Sequence, residues 1–163
     1  NMSFQGIFGK PRKLVTDATK RLCSAINAGE PKSTVKYILM NTVGNRNRDL
    51  PERISFSEKC IIWLLRLLVP PHIDNEEAAD FLRTKIGQND NTIKWVVVRP
   101  SSLIDEEDVS EYKTHSSPTR SAIFNDGKVS RVNVAAFMNK LITDQNLWEK
   151  WKGQMPVIYN KEK

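Results

Sequence analysis

The sequence predicts an α/β fold, a largely parallel sheet with helices on its faces. Three observations carry that expectation. Trp95–Val98 sets three consecutive valines after a tryptophan, a run without polar alternation that suits a strand buried on both faces. Shorter apolar runs at Val35–Met40 and Met155–Tyr159 are bounded by turn residues. Between these runs lie stretches with apolar residues three and four positions apart, so helices alternate with buried strands. Val35–Met40, Trp95–Val98 and Met155–Tyr159 are therefore expected in one sheet, the first two adjacent and parallel.

The elements follow in order. Asn1–Gly9 is polar and reads as a loop. Pro11 opens a helix with Leu14, Ala18, Leu22, Ala25 and Ile26 on its apolar face, and Gly29 and Pro31 end it. Thr42–Pro51, rich in Asn, Arg and Gly, is a loop. Ser57 caps a helix that runs through Leu68 and stops at Pro70-Pro71. A helix over Ile73–Ile86 turns Ala78, Ala79, Leu82 and Ile86 inward, and Gly87 closes it. Pro100–Thr119 is a long polar, acidic loop, Ala122–Phe124 a short strand and Asn125-Asp126-Gly127 a turn. Ser130 caps a helix with Val134, Phe137, Met138 and Leu141 inward, and Gln145–Lys152, with its two tryptophans, is compatible with a helix.

Length and composition bound the function. A chain of 163 residues, 39% hydrophobic and 27% charged, builds one domain with a core and is not disordered as a whole. The longest apolar run, Cys60–Pro71, is interrupted by Arg66 and falls short of the roughly 20 residues of a membrane span. No secretory signal opens the chain. Cys23 and Cys60 have no CxxC spacing and read as buried thiols in a reducing, cytoplasmic compartment. Two distant histidines and these cysteines make no metal site. The run Asp105-Glu106-Glu107-Asp108 reads as a solvated acidic loop. The net charge of +6 lies entirely in the first fifty residues, with nine Lys/Arg against three Asp/Glu. That excess suits a solvated helix face or the side nearest an anionic cofactor. No nucleic-acid-binding motif accompanies it, which argues against nucleic acid as partner.

Three stretches in order resemble one family. Trp95–Leu103, "WVVVRPSSL", is similar to the sixth strand of atypical and extended short-chain dehydrogenase/reductases, NmrA-like proteins among them. There a hydrophobic strand ends in Arg-Pro and a small residue. Ser130–Met138, "SRVNVAAFM", resembles a helix start near their C-terminus, with Asn133 where Asp is usual. Asp74–Arg83, "DNEEAADFLR", resembles the helix before the sixth strand, and the closing "MPVIYN" their last strand.

The resemblance implies the C-terminal half of a doubly wound Rossmann-type sheet, with ligands at the carboxyl ends of its strands. Provided the N-terminal half is present, it implies NAD or NADP as cofactor, NADP slightly preferred, and the nicotinamide end contacted by Asn41, Thr42 and Val43 after one strand and Arg99, Pro100, Ser101, Ser102 and Leu103 after the next; without that half the chain binds no dinucleotide. For this second set the residues leave two readings open. Ser101 and Ser102 offer small polar groups to a ligand, or cap a turn; Arg99 faces an anion, or pairs with a carboxylate. The family's Gly-rich phosphate loop has no counterpart in the sequence. The expectation is therefore one Rossmann-like domain, residues 1–163, lacking its N-terminal Gly-rich βαβ portion. Its uncovered apolar surface would meet that portion, a protein partner or an oligomer. The family's Tyr-x-x-x-Lys pair is also missing; its places fall near His72 and Glu76. His72 and Thr42 are the candidate catalytic residues.

Two functions stand. The first is an NAD(P)-binding oxidoreductase-like domain that transfers hydride between the dinucleotide and a small-molecule substrate. The alternative is a non-catalytic NAD(P)-linked redox sensor or scaffold acting through protein partners.

Overall fold

The computed structural model describes residues 9–52 and 54–161; the loop expected at Asn1–Gly9 lies almost wholly outside them. The chain divides into two compact units, Asn1–Val35 with Ile54–Ile93 and Lys36–Arg53 with Lys94–Lys163.

The first unit is helical: α1 (Leu14–Ala28), α2 (Phe56–Leu68) and α3 (Pro70–Phe81), the last continued by a π-helical turn over Leu82–Ile86. Lys13 at the start of α1 offers no capping oxygen. Instead the Asp74 carboxylate, on α3, accepts the N–H groups of Val15 and Thr16, each at 2.8 Å. This contact selects the inner face of α1. Thr16, Thr19 and Cys23 are buried, while Leu14 and Leu22 are 60% and 53% exposed. The expected Leu14–Ala18–Leu22–Ala25 stripe is thus the outer face, roughly half a helical turn away. Helix α2 starts earlier than expected. Ser55 rather than Ser57 is its cap, because only Ser55 has an acidic residue three positions on: Glu58 N–H donates to Ser55 Oγ and Ser55 N–H to Glu58 Oε2. Cys60, expected to be buried on this helix, is exposed. Pro70-Pro71 both ends α2 and opens α3, so the third helix begins before the expected Ile73. Ala78, Ala79 and Leu82 are buried as their spacing predicts, and Gly87, at φ 70°, closes the turn.

The second unit carries the sheet. Its strands are β1 (Val35–Met40), β2 (Ile93–Pro100), β4 (Tyr112–His115) and β6 (Val157–Asn160), in spatial order β1-β2-β6-β4. The N–H groups of Val35, Asn41 and Val43 donate to the carbonyls of Thr92, Val98 and Pro100. Both numbers rise together, so β1 and β2 run parallel, as expected. β2 pairs parallel with β6, and β4 antiparallel with β6. Trp95, Val96, Val97 and Val98 are fully buried, each valine contributing about 1.5–3 kcal/mol of burial. Helix α4 (Arg131–Thr143) and helix α5 (Gln145–Trp151) cover one face of β2, Val134, Phe137, Leu141, Trp148 and Trp151 joining Val96 and Val98 in one cluster.

Two expectations are corrected here. The loop expected over Pro100–Thr119 contains β3 (Ser102–Ile104) and the edge strand β4. β4 is only half buried and polar, so its pairing with β6, not an apolar pattern, makes it a strand. The strand expected at Ala122–Phe124 is a turn, since Ser121 Oγ accepts the N–H groups of Ile123 and Phe124. The strand forms instead as β5 (Lys128–Ser130), which pairs parallel with β3 in a separate two-stranded sheet.

Candidate functional site

The backbone ladder carries β1 past Met40 into Asn41–Val43, which run beside Val98–Pro100. The two expected sets of site residues thus leave neighbouring parallel strands at their carboxyl ends. Thr42 Oγ1 accepts the Gly44 N–H at 3.4 Å, and Asn41 Oδ1 accepts the Thr42 N–H at 2.9 Å, so the chain turns out of the strand on its own side chains. Val43 is buried against Val157 and Tyr159.

Arg99 is 0% exposed. Its Nε donates to the Met155 carbonyl at 2.7 Å and its Nη1 to the Asn45 carbonyl at 2.9 Å. Its Nη2 donates to Glu52 Oε1 at 2.7 Å and to the Ser116 carbonyl at 3.1 Å. Of the two roles open to Arg99 in the sequence, the structure shows the pairing with a carboxylate.

Ser101 lies in the interior, 6% exposed, and its Oγ has no hydrogen-bond partner. A buried hydroxyl without a partner is uncommon in a folded protein. Ser102, the next residue, is exposed and bonded to the Asp126 carboxylate, and Leu103 is partly exposed on β3. Ser102 also lines a cavity of about 1340 Å³, whose walls include Ile104, Phe124, Asp126, Tyr159 and Asn160. Burial pushes the Tyr159 hydroxyl up from its ordinary pKa of 10, against the opposing pull of Thr119 and of the Arg99 and Arg120 charges.

Buried behind Ser110 and Asn160, which line that cavity, Asn133 stands where the resemblance has Asp. Its Nδ2 donates to Ser110 Oγ at 2.9 Å and to Asn160 Oδ1 at 2.7 Å, while its Oδ1 accepts the Ser110 N–H at 2.9 Å. A carboxylate has no hydrogens for the first two contacts.

His72 belongs to the other unit, in the first turn of α3. Its Nε2 is 3.4 Å from Glu76 Oε1, and Arg66 donates to both oxygens of the same carboxylate. Burial pushes the Glu76 carboxyl up, but the neighbouring His72 and the Arg66 hydrogen bonds and charge outweigh it and hold the pKa at about 2.

The sequence reading missed Glu52, Asn45 and Asn47, all buried in the loop after β1. A buried arginine demands a carboxylate, but nothing local says which of 19 acidic residues supplies it.

A dinucleotide also needs its phosphates held. No glycine-rich loop is present among the described residues. Two first-turn amides of α1 are engaged by Asp74, and one each of α2, α4 and α5 by Ser55, Ser130 and Asp144. The Ser101 Oγ is without a partner and suits a ligand amide, while the described residues offer no cradle for a pyrophosphate. No group of His, Cys, Asp and Glu among the described residues could hold a metal, and no described helix is long and apolar enough to cross a membrane.

The family model described as NAD(P)H-binding matches residues 7–145. No curated protein matches the chain. Among solved structures, an oxidoreductase from Lactococcus lactis is similar at 15% identity and a TM-score of 0.59, over 94% of this chain and 58% of its own. An anaerobillin reductase from Escherichia coli O157:H7 is similar at 17% and 0.56, over 91% and 60%. A short-chain dehydrogenase/reductase from Veillonella parvula in complex with NADP is similar at 17% and 0.52, over 87% and 58%. The chain therefore spans well under two thirds of the length of each of these three. At such identities the likeness establishes the fold, a Rossmann type with a mostly parallel sheet, and the family follows from the model that covers most of the sequence. The chain belongs to the NAD(P)H-binding family, on a Rossmann-type fold.

Proposed function

We propose that this chain is an atypical short-chain dehydrogenase/reductase domain that holds the nicotinamide end of NADP(H) between Asn41–Val43 and Pro100–Leu103. When bound, the dinucleotide would supply hydride chemistry at its nicotinamide ring, and Asn41–Val43 and Pro100–Leu103 would hold and orient that ring. The observation that carries the reading is the Ser101 hydroxyl, buried without a partner at the carboxyl end of β2, where open α/β sheets bind ligands. A carboxamide would satisfy it. Thr42, whose hydroxyl points back onto the Gly44 amide, is the polar side chain at the matching end of β1 and hydrogen-bonds the acceptor in this reading. NADP is preferred over NAD on the ground that the similar Veillonella protein holds NADP. The thiols of Cys23 and Cys60 suit a reducing compartment such as the cytoplasm.

Titration of the full-length protein with NADPH and NADH tests the site. Ser101→Trp with Ser102→Trp should abolish binding, because the added bulk fills the space beside the two strand ends. Equal affinity in parent and double variant would put the cofactor elsewhere.

The second reading, a sensor that binds the cofactor without turning it over, is favoured by one observation. His72, the candidate proton donor, has its Nε2 turned to Glu76. Turnover by His72→Ala separates the two: a loss of at least about tenfold supports a catalytic His72, since a positioned acid or base contributes roughly 10²–10⁴-fold. An unchanged rate removes His72 from the mechanism.

A further inference from the structure

We infer that the buried Arg99–Glu52 pair is a positioning device that locks the loop after β1 against the ends of β2 and β6, and so sets the nicotinamide platform. The inference rests on the reading just given, that the nicotinamide end lies between the residues after β1 and those after β2.

The loop is held by hydrogen bonds rather than by a core. Between Asn41 and Glu52 the only apolar side chains are Val43, Leu50 and Pro51, while Asn41, Asn45, Asn47 and Glu52 are buried. Buried polar groups are costly unless each finds a partner. Asn41 and Asn47 accept the N–H groups of Thr42 and Asp49, and Arg99 supplies the partner of Glu52. From the end of β2 its planar fork reaches the Asn45 carbonyl and the Glu52 carboxylate in the loop, the Met155 carbonyl before β6 and the Ser116 carbonyl after β4. Glu52 then fastens the middle of the loop, its second oxygen accepting the Asn47 N–H at 3.0 Å, while its own carbonyl accepts from Arg46 Nη2. One carboxylate thus joins the strand-end arginine to the turn that follows Thr42 and Val43. A lysine could not replace the fork, since an ammonium lacks its fixed, planar set of donors. Arg99 therefore serves the site without touching the cofactor: it decides where Gly44–Asn47 stand, and through the Asn45–Thr42 turn where the Thr42 hydroxyl sits.

The test uses the full-length protein, its Glu52→Gln variant and, as control, Arg131→Gln, which breaks only the exposed pair with Asp105. Glu52→Gln keeps the shape of the side chain, but the new amide nitrogen would face either the Asn47 N–H or Arg99, donor against donor. Two quantities are read: peptide-resolved amide exchange, and NADPH affinity with the emission shift of the bound nucleotide. Glu52→Gln should raise exchange over residues 44–50 and leave β2 and β6 protected. NADPH affinity should fall at least about tenfold, the scale of losing a partner of a buried hydrogen-bonded charge, and the emission shift should be lost. Arg131→Gln should match the parent in both. A variant with a loosened loop and parental NADPH affinity would overturn the inference, as would a loop whose exchange does not change. Exchange rising equally in β2 and β6 would reduce the pair to a general stabiliser and overturn it too. A parent that binds neither NADPH nor NADH overturns the reading of the site itself, an outcome the exchange arm keeps distinct. If Glu52→Gln does not fold, Glu52→Asp, which keeps the charge but withdraws it by one methylene, should show the same pattern at a smaller amplitude.

Discussion

The two units treat their apolar residues in opposite ways. In the second, the valines of β2 and the tryptophans of α5 are sealed between sheet and helix. In the first, α1 shows Leu14 and Leu22 outward, and α2 shows Phe56 at 81%, Trp63 at 64% and Leu67 at 67% exposure. A strand with a neighbour on each side and a helix over it can lose all its water. A helix held chiefly at its N-terminus, as α1 is by Asp74 and Glu77, buries the stripe that those contacts turn inward. Apolar content by itself therefore does not predict the interior; the number of neighbouring elements does.

A pair of substitutions strains this contrast hardest. Val97→Asp should cost more than about 4 kcal/mol, because the carboxylate has no partner at a site with no solvent. Leu22→Asp, though chemically the same change, should stay within about 0.5 kcal/mol. Denaturant midpoints of the two variants measure the difference, and comparable losses would show that the α1 stripe is covered in solution.

A smaller effect is expected where the interior is polar. Asn133→Asp removes both donors facing Ser110 Oγ and Asn160 Oδ1, and should cost about 1–3 kcal/mol at neutral pH. Part of that loss should return in acid, when the new carboxyl group regains a proton. A urea midpoint independent of pH would show that the contacts around Asn133 carry little.

The mildest test lies in the first unit. Glu76 is held at about 2, below its ordinary 4.5, so its contribution is fully present above about 4.5 and is lost as pH falls toward 2. Stability should therefore fall through this window, and Glu76→Gln should flatten that part of the curve. The amplitude is modest because solvent reaches Arg66 and screens the pair. A Glu76→Gln curve parallel to the parent's throughout would assign the acid sensitivity to other carboxylates.

Much of the fold was legible because it is written in single segments. The β2 run needs no partner to be recognised, and neither does the Ser130 cap, which receives the Asn133 N–H as expected. The parallel neighbourhood of β1 and β2 followed from helices lying between them. The candidate site was legible only as a place: Thr42 and Ser101 do leave adjacent strands, but the burial of Ser101 Oγ and the internal role of Arg99 were not apparent. What hid them is sequence distance, since Arg99 meets Glu52 across 47 residues and Met155 across 56.

The sequence by itself determined that helices alternate with buried strands, and which residues follow the ends of β1 and β2. Periodicity and capping act within a few residues, and their energetics are local. Only the tertiary structure decided that α1 turns threonines inward and leucines outward, that polar Tyr112–His115 becomes a strand, and that Glu52 is the carboxylate that answers Arg99 among the described residues. Each of those outcomes belongs to a pair of segments far apart in the chain. The free energy that selects among such pairs, in desolvation, ladder hydrogen bonds and charge compensation, exists only once they meet.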